Sequence, residues 1–292
     1  MSLPALPQHI VTRFAPSPTG RLHIGHGWSA LMAHDLARGA GGIFRLRIED
    51  IDGARSREEH VAGIVEDLTW LGIGWAGAVV RQSERLGHYA DALDRLKAMG
   101  LVYPCFCTRA DIAGSASAPH GPEGPVYPGT CRALTKGERA ARTAQEPHAW
   151  RIDMARAVAQ AGALTWQDAD RGTIIADPLA AGDVVLARKD APTSYHLAAT
   201  LDDAAMGINF VLRGSDLIAA TDIHRLLQAL LDLPTPIYRH HGLLVDAQGK
   251  RLAKRSGGIQ LAQLRADGMD PERLRDDLRQ GRFPVGISVQ SS

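Results

Sequence analysis

The residues best equipped for chemistry gather near the start of the chain. Pro16-Ser17-Pro18-Thr19-Gly20 breaks the apolar, β-prone run from His9 to Phe14 and hands over to a helical pattern beginning near Leu22. Two histidines, His23 and His26, stand three residues apart at that helix start, close enough to act on one phosphate together. A strand, a turn and a helix N-terminus in succession expose backbone N–H groups and the positive end of the helix dipole. An anion, and a triphosphate above all, is the natural ligand. The spacing is not that of a His-Glu-x-x-His zinc site, and neither a Gly-x-x-x-x-Gly-Lys loop nor a Gly-x-Gly-x-x-Gly fingerprint occurs. Taken alone, the pair reads as a βα turn with two surface histidines.

Three other places offer reactive groups. Phe44, Leu46 and Ile48 alternate with Arg45, Arg47 and Glu49, the period of a half-buried strand whose C-terminal end delivers carboxylates. Ligands of open parallel sheets bind at the carboxyl ends of strands, which brings Glu49 towards the opening motif. Cys105 and Cys107 precede a Gly/Ala/Ser/Pro-rich stretch from Gly114 to Gly129, and Cys131 follows it. Three cysteines argue against a disulfide framework and for thiols or metal ligands. Zinc would order so long a loop, but tetrahedral zinc wants a fourth ligand, and on ligand chemistry alone His120 is the favourite. Lastly, Lys250-Arg251-Leu252-Ala253-Lys254-Arg255 is a basic run that reads by itself as a solvated turn.

The elements that must position these groups alternate along the chain. Helical patterns span roughly Leu22–Gly39, Ser56–Leu71, Ser83–Met99 and Thr221–Leu231, with strands between them, as in a doubly wound α/β unit. The Cys-rich segment interrupts this order. Strands return at His148–Ile152, Gly182–Arg188 and Asn209–Gly214, where the chain is expected to re-enter its α/β sheet after an insertion. With 292 residues, 45% hydrophobic and 22% charged, the chain is long enough for a large core. A formal charge of +1 does not announce a nucleic-acid binder. RNA contacts would need local clusters such as Arg132/Lys136/Arg139/Arg142, Lys250/Arg251/Lys254/Arg255 or Arg273/Arg275/Arg279/Arg282, each of which equally fits a solvated face. No run is long and apolar enough for a membrane span, and Met1 to Gln8 lacks the segments of a signal peptide, so the expected location is cytoplasmic.

Pro-Ser-Pro-Thr-Gly-x-Leu-His-Ile-Gly-His resembles the ATP-binding signature of class I aminoacyl-tRNA synthetases, and Arg-Phe-Ala-Pro-Ser-Pro-Thr-Gly resembles its glutamyl branch. Phe44 to Asp52, Gly182 to Arg188, Ser194 to Ala198, Asp202 to Ala204 and Val211 to Leu217 are similar to further segments of that branch, in its order. The resemblance implies a glutamate pocket made by Arg13, Phe14, Ala15, Pro16, Ser17, Glu49, Tyr195 and Arg213, with Glu49 on the α-ammonium. It assigns ATP to His23, Gly25, His26 and Lys254. Lys254 matches the second lysine of the Lys-Met-Ser-Lys-Ser signature, from which Arg251, Ala253 and Arg255 depart. The implied catalytic set, His23, His26 and Lys254 with a Mg²⁺ ion, stabilises charge on the α-phosphate and supplies no nucleophile. The physics suits an acidic amino acid. Arginines bind carboxylates by strong directional pairs, and an amide cannot make up for the hydration that the Arg213 charge loses on leaving water.

Cys-x-Cys followed by Tyr-x-x-x-Cys is similar to the pattern of glutamyl-Q tRNA(Asp) synthetases, which implies one structural zinc held by Cys105, Cys107, Tyr127 and Cys131. The short stretch after the lysine loop, ending at Ser292, points the same way, since a glutamyl-tRNA synthetase is expected to continue into helical anticodon-binding domains. The implied fold is α/β: a Rossmann-like catalytic domain with a parallel sheet, interrupted by an α+β insertion carrying the zinc site. Its parts would be residues 1–100 and 191–260 for the two catalytic halves, 101–190 for the insertion and 261–292 for a short helical C-terminal segment. The implied reaction is tRNA-independent activation of L-glutamate with ATP, then glutamyl transfer to queuosine at the wobble position of tRNA(Asp). The expected partner is an anticodon stem-loop read by shape, phosphate and modified base, and the expected state is a monomer. The alternatives are a short glutamyl-tRNA synthetase charging tRNA(Glu) and a non-catalytic tRNA-binding module derived from such an enzyme.

Overall fold

The computed structural model describes residues 3–113, 120–121, 124–252 and 259–290. The apolar run before the Pro/Gly breaker is strand β1 (Val11–Phe14), and helix α1 (Ile24–Gly39) carries the chain back to β2 (Ile43–Ile48), parallel to β1 with Val11 opposite Ile43. Gly42 makes that return tight: a Cβ there would lie 2.0 Å from the Ile10 carbonyl oxygen. A second such unit follows, α2 (Glu58–Trp70) and β3 (Val80–Arg81), parallel to β2, and then α3 (Leu86–Ala98).

The chain next makes β4 (Val102–Cys105), α4 (Arg109–Ala113), the two-residue strands β5 (His120–Gly121) and β6 (Gly124–Pro125), α5 (Lys136–Thr143), β7 (Ala149–Ile152) and α6 (Met154–Ala161). After these come β8 (Thr165–Asp168), β9 (Gly172–Ile175), β10 (Val185–Ala187), α7 (Tyr195–Ala205), β11 (Phe210–Gly214), α8 (Ile218–Leu230) and β12 (Ile237–His241). The tail comprises β13 (Leu243–Val245), α9 (Leu261–Ala266), α10 (Pro271–Arg279) and β14 (Ser288–Gln290), the last antiparallel to β13.

Strands β3-β2-β1 and β11-β12-β8 form two parallel halves of one layer, with β1 beside β11. Asn209 stitches the halves: its backbone N–H donates to Val11 O (3.1 Å) and its side-chain oxygen accepts from Val11 N (2.8 Å). One apolar core lies between this layer and α1, α2, α9 and α10, and a second gathers around α3, α6, α7 and α8. Among the described residues no helix is long and apolar enough to cross a membrane.

Two sequence expectations change. Strands β7 and β10 do not re-enter the parallel sheet; β7 pairs antiparallel with both β10 and β4 in a separate three-stranded sheet. Conversely the hairpin β8–β9, inside the 101–190 stretch expected as insertion, joins the catalytic layer through Asp168 beside Tyr238. Both follow from pairing between distant segments, which strand periodicity does not specify. The alternation in β2 also misleads, because Arg47 is wholly buried. A parallel sheet is covered on both faces, so its polar face need not meet water.

Candidate active site

The parallel layer delivers its strand ends to one cleft. Arg13 and Phe14 come from the end of β1, Glu49 from just past β2, Arg213 from β11 and Tyr195 from the first turn of α7. Ser194 caps α7 by accepting from Leu197 N, and the Glu49 N–H donates to Pro16 O at 3.0 Å, which locks the breaker beside β2. Arg13, Phe14, Ala15, Glu49, Tyr195 and Arg213 line the cleft, whereas Pro16 is buried in the turn behind it and Ser17 is half-buried there.

The cationic groups are not equivalent. Arg13 Nε lies 2.9 Å from Asp203 Oδ1, and Arg47 bridges Asp203 (2.6 Å) and Glu49 (2.9 Å). Burial works to raise the pKa of Asp203, but Arg13 and Arg47 outweigh it and hold it at about 2. Burial raises that of Glu49, with Arg47 opposing. Asp202, fully buried, accepts from Gln82, Arg85 and Tyr89 at 2.7 to 2.8 Å and ties the start of α3 to α7.

Arg213 differs. Its guanidinium donates to Thr221 Oγ1 (2.7 Å), Tyr195 OH (3.3 Å), His224 Nδ1 (3.3 Å) and His240 Nε2 (3.4 Å). Burial, aided by the Arg213 charge, lowers His240 to about 4 and His224 well below its ordinary value, so both rings are neutral. Among the described residues no carboxylate bonds to Arg213, which leaves a buried cation exposed on one side to the cleft. Such a group calls for an anionic ligand.

The other half of the cleft is built on α1. His23 is its N-cap: Nδ1 accepts from Gly25 N (3.1 Å), while His26 Nδ1 accepts from His23 N (3.2 Å), a reciprocal capping box. The rings lie 3.8 Å apart. With both Nδ1 atoms acting as acceptors, the tautomer assigned by these bonds carries its proton on Nε2, the donor a phosphate needs. Gly25 is tightly placed, since a Cβ would sit 3.0 Å from His23 Cε1 and press on that ring. Trp28, Ser29, Asp216, His241 and Leu243 extend the wall, and Arg251 pairs with Asp216 at 2.7 Å across it.

Lys254, Ala253 and Arg255 lie outside the described residues. The chain on either side of them is fixed beside the histidines: Leu252 N donates to Leu244 O (2.9 Å), and Ile24 N donates to Ile259 O (2.9 Å). Of the basic clusters, Arg275, Arg279 and Arg282 are engaged by Glu272, Asp35 and Asp277, and Arg132 by Asp183. The first three are the pairs of a solvated face, whereas Asp183 is buried beneath Arg132.

Cys105, Cys107 and Cys131 converge with all sulfurs within 4.8 Å of one another, and Tyr127 OH lies 3.5 Å from Cys107 Sγ. A tetrahedral site with Zn–S bonds of ~2.3 Å has S···S edges of about 3.8 Å, and Cys107 and Cys131 sulfurs are 3.6 Å apart. The donor set therefore fits a metal ion. Burial pushes the Cys107 thiol up to about 11, whereas hydrogen bonds from Tyr127 and the Phe106 N–H overcome burial and lower Cys131. His120 is described only by its backbone, in the β5–β6 ladder.

Sequence reading missed Arg47, Asp203, Thr221, His224 and His240. Asp202-Asp203 inside the otherwise apolar α7 was the available signal, because paired acids on a buried helix need cations.

Residues 9–288 match the family model for tRNA synthetases class I (E and Q), catalytic domain. The chain is 51% identical to a glutamyl-Q tRNA(Asp) synthetase of Rhodobacter capsulatus, over 91% of this chain and 98% of that protein. It is 46% identical to one from Symbiobacterium thermophilum, over 89% and 82% respectively. A glutamate–tRNA ligase of Ruegeria pomeroyi is 42% identical, with 90% of this chain covering 58% of that one. The glutamate-tRNA synthetase structure from Elizabethkingia anophelis superposes with a TM-score of 0.71 at 28% identity, covering 85% of this chain, which spans about half (53%) of that protein.

Proposed function

Because the chain belongs to the family of class I tRNA synthetases (E and Q), catalytic domain, we propose that it activates L-glutamate with ATP and passes the glutamyl group to queuosine at the wobble position of tRNA(Asp). The observation that carries the glutamate reading is Arg213, a buried cation facing the cleft with only neutral hydrogen-bond partners. The acceptor is supported by the glutamyl-Q tRNA(Asp) synthetase of R. capsulatus, similar over 98% of its length.

In the first step an oxygen of the substrate α-carboxylate attacks the α-phosphorus of ATP, and pyrophosphate leaves. Arg213 and Tyr195 hold the side-chain carboxylate and Glu49 the α-ammonium, so the nucleophile is oriented before attack. Arg13, already paired with Asp203, shapes the pocket through that pair and adds positive potential. His23 and His26 present Nε2–H donors to the phosphate oxygens, and Lys254 neutralises charge developing there. A Mg²⁺ ion brought with ATP supplies further charge neutralisation. In the second step a hydroxyl of the queuosine ring attacks the acyl carbon and releases AMP.

One structural zinc, held by Cys105, Cys107, Tyr127 and Cys131, orders the insertion and takes no part in the chemistry. The protein works as a cytoplasmic monomer on the anticodon stem-loop. The test has two arms: glutamate-dependent ATP–pyrophosphate exchange without tRNA, then transfer of labelled glutamate to tRNA(Asp) with and without queuosine. Exchange without tRNA, with labelling confined to the modified tRNA, is the expected result. Labelling of tRNA(Glu) in preference would make the chain a short glutamyl-tRNA synthetase, and no exchange would leave a binding module.

A further inference from the structure

The arrangement behind Arg213 goes further than the pocket. An imidazole that accepts a hydrogen bond at Nε2 must carry its proton at Nδ1. His240 accepts from Arg213 Nε at Nε2, and the Thr221 hydroxyl is 3.1 Å from the same nitrogen. Thr221 Oγ1 itself accepts from Arg213 Nη2, and its single proton has two acceptors within reach, that lone pair at the shorter distance and Leu217 O at 3.4 Å. His240 Nδ1 lies 3.2 Å from Asp168 Oδ2. Asp168 is 1% exposed, and its other oxygen is fixed by the N–H groups of Asp170 (2.9 Å) and Arg171 (3.0 Å). Neither Asp168 nor His240 lines the cleft.

We propose that Asp168 and His240 form a positioning dyad for Arg213, in which the carboxylate fixes the Nδ1–H tautomer of the ring and the ring's lone pair then orients the guanidinium. The imidazole is the point of the device. A carboxylate set directly against Arg213 would neutralise it, as Asp203 does Arg13, and would compete with the substrate carboxylate. One ring away, Asp168 orients the cation and leaves its charge for the ligand. His224 works in the same sense from the other side, accepting at Nδ1 from Arg213 with Nε2 facing His196 Nδ1 at 3.4 Å. The dyad thus sets selectivity for an acidic over an amide side chain, an inference that rests on the glutamate reading for its substrate but not for its geometry.

The experiment uses the full chain labelled with ¹⁵N-histidine, with the His240 signals assigned by their loss in His240→Gln or, should that variant not fold, by through-bond correlation from the backbone in uniformly ¹³C,¹⁵N-labelled chain. The expected spectrum has His240 neutral, protonated at Nδ1 and bare at Nε2. In ATP–pyrophosphate exchange, Asp168→Asn and His240→Gln should each raise KM for glutamate about tenfold, the loss expected for one charge-linked hydrogen bond. KM for ATP and kcat should stay within about twofold. A wild-type His240 protonated at Nε2, or on both nitrogens, overturns the dyad. So does a loss shared equally between glutamate and ATP, which marks a general structural role. Should the variants not fold, the wild-type tautomer decides the matter alone. If the wild type gives no glutamate-dependent exchange, the functional reading fails, and the tautomer still decides the dyad.

Discussion

Arg13 Nε and Asp203 Oδ1 meet at 2.9 Å where each side chain is less than a tenth exposed, so the cation at the end of the first strand is compensated before any ligand arrives. Arg213, on the neighbouring strand, is not. The two arginines that sequence reading treated alike therefore differ in setting: one is paired across the two halves of the layer, and the other faces the cleft with no carboxylate partner among the described residues.

Asp203→Asn should consequently act on stability. It leaves Arg13 and Arg47 short of a buried counter-charge, and breaking such pairs costs roughly 3–5 kcal/mol. Chemical denaturation should register that loss. The pH profile gives a second measure. The folded pKa of Asp203, about 2, lies below its ordinary 3.8, so its contribution is present above about pH 4 and disappears as pH falls towards 2. The variant should lack that segment of the acid-denaturation curve.

Arg213→Gln should act on substrate instead. It keeps a polar side chain for Thr221 and His240 but removes the charge, and KM for glutamate should rise on the order of 100-fold. Its melting temperature should change far less than that of Asp203→Asn. A comparable loss for ATP would argue against the assignment.

His26→Ala removes half of the capping box and, on the proposed function, a phosphate donor. The cap is worth about 1 kcal/mol of stability, while loss of a transition-state donor costs about 10²–10³ in rate. Adenylate formation should therefore fall far more than glutamate binding, measured by pyrophosphate exchange and calorimetry. Equal losses would make the residue structural only.

Cys105→Ser should reduce bound zinc to well under one equivalent by elemental analysis. A chelator should do the same to the wild type and lower its melting temperature, because folding of a small metal-bound insertion is coupled to its metal. Unchanged metal content and stability would sink the zinc assignment.

Much of this site was legible because it is local. The breaker, the histidine pair and Gly25 occupy one continuous turn, and Glu49 and Arg213 end strands whose apolar pattern announces them. The supporting network was not. Arg47 sits at an alternating polar position that reads as solvent-facing until a second layer covers it, and His240 gains its meaning only when β8 pairs with β12. The domain boundaries suffered in the same way, since β8–β9 belongs by sequence to the insertion and by hydrogen bonds to the catalytic layer.

The seam between β1 and β11 has a consequence for how the chain is made. Asn209, which stitches Val11, and Asp203, which balances Arg13 and Arg47, leave the ribosome 156 to 198 residues after the residues they complete. During synthesis the first half thus emerges with two guanidinium groups destined for its interior and only Glu49, which pairs with Arg47, to balance them. It should remain loosely packed until α7 and β11 arrive, so that folding of the first half of the layer waits on the second.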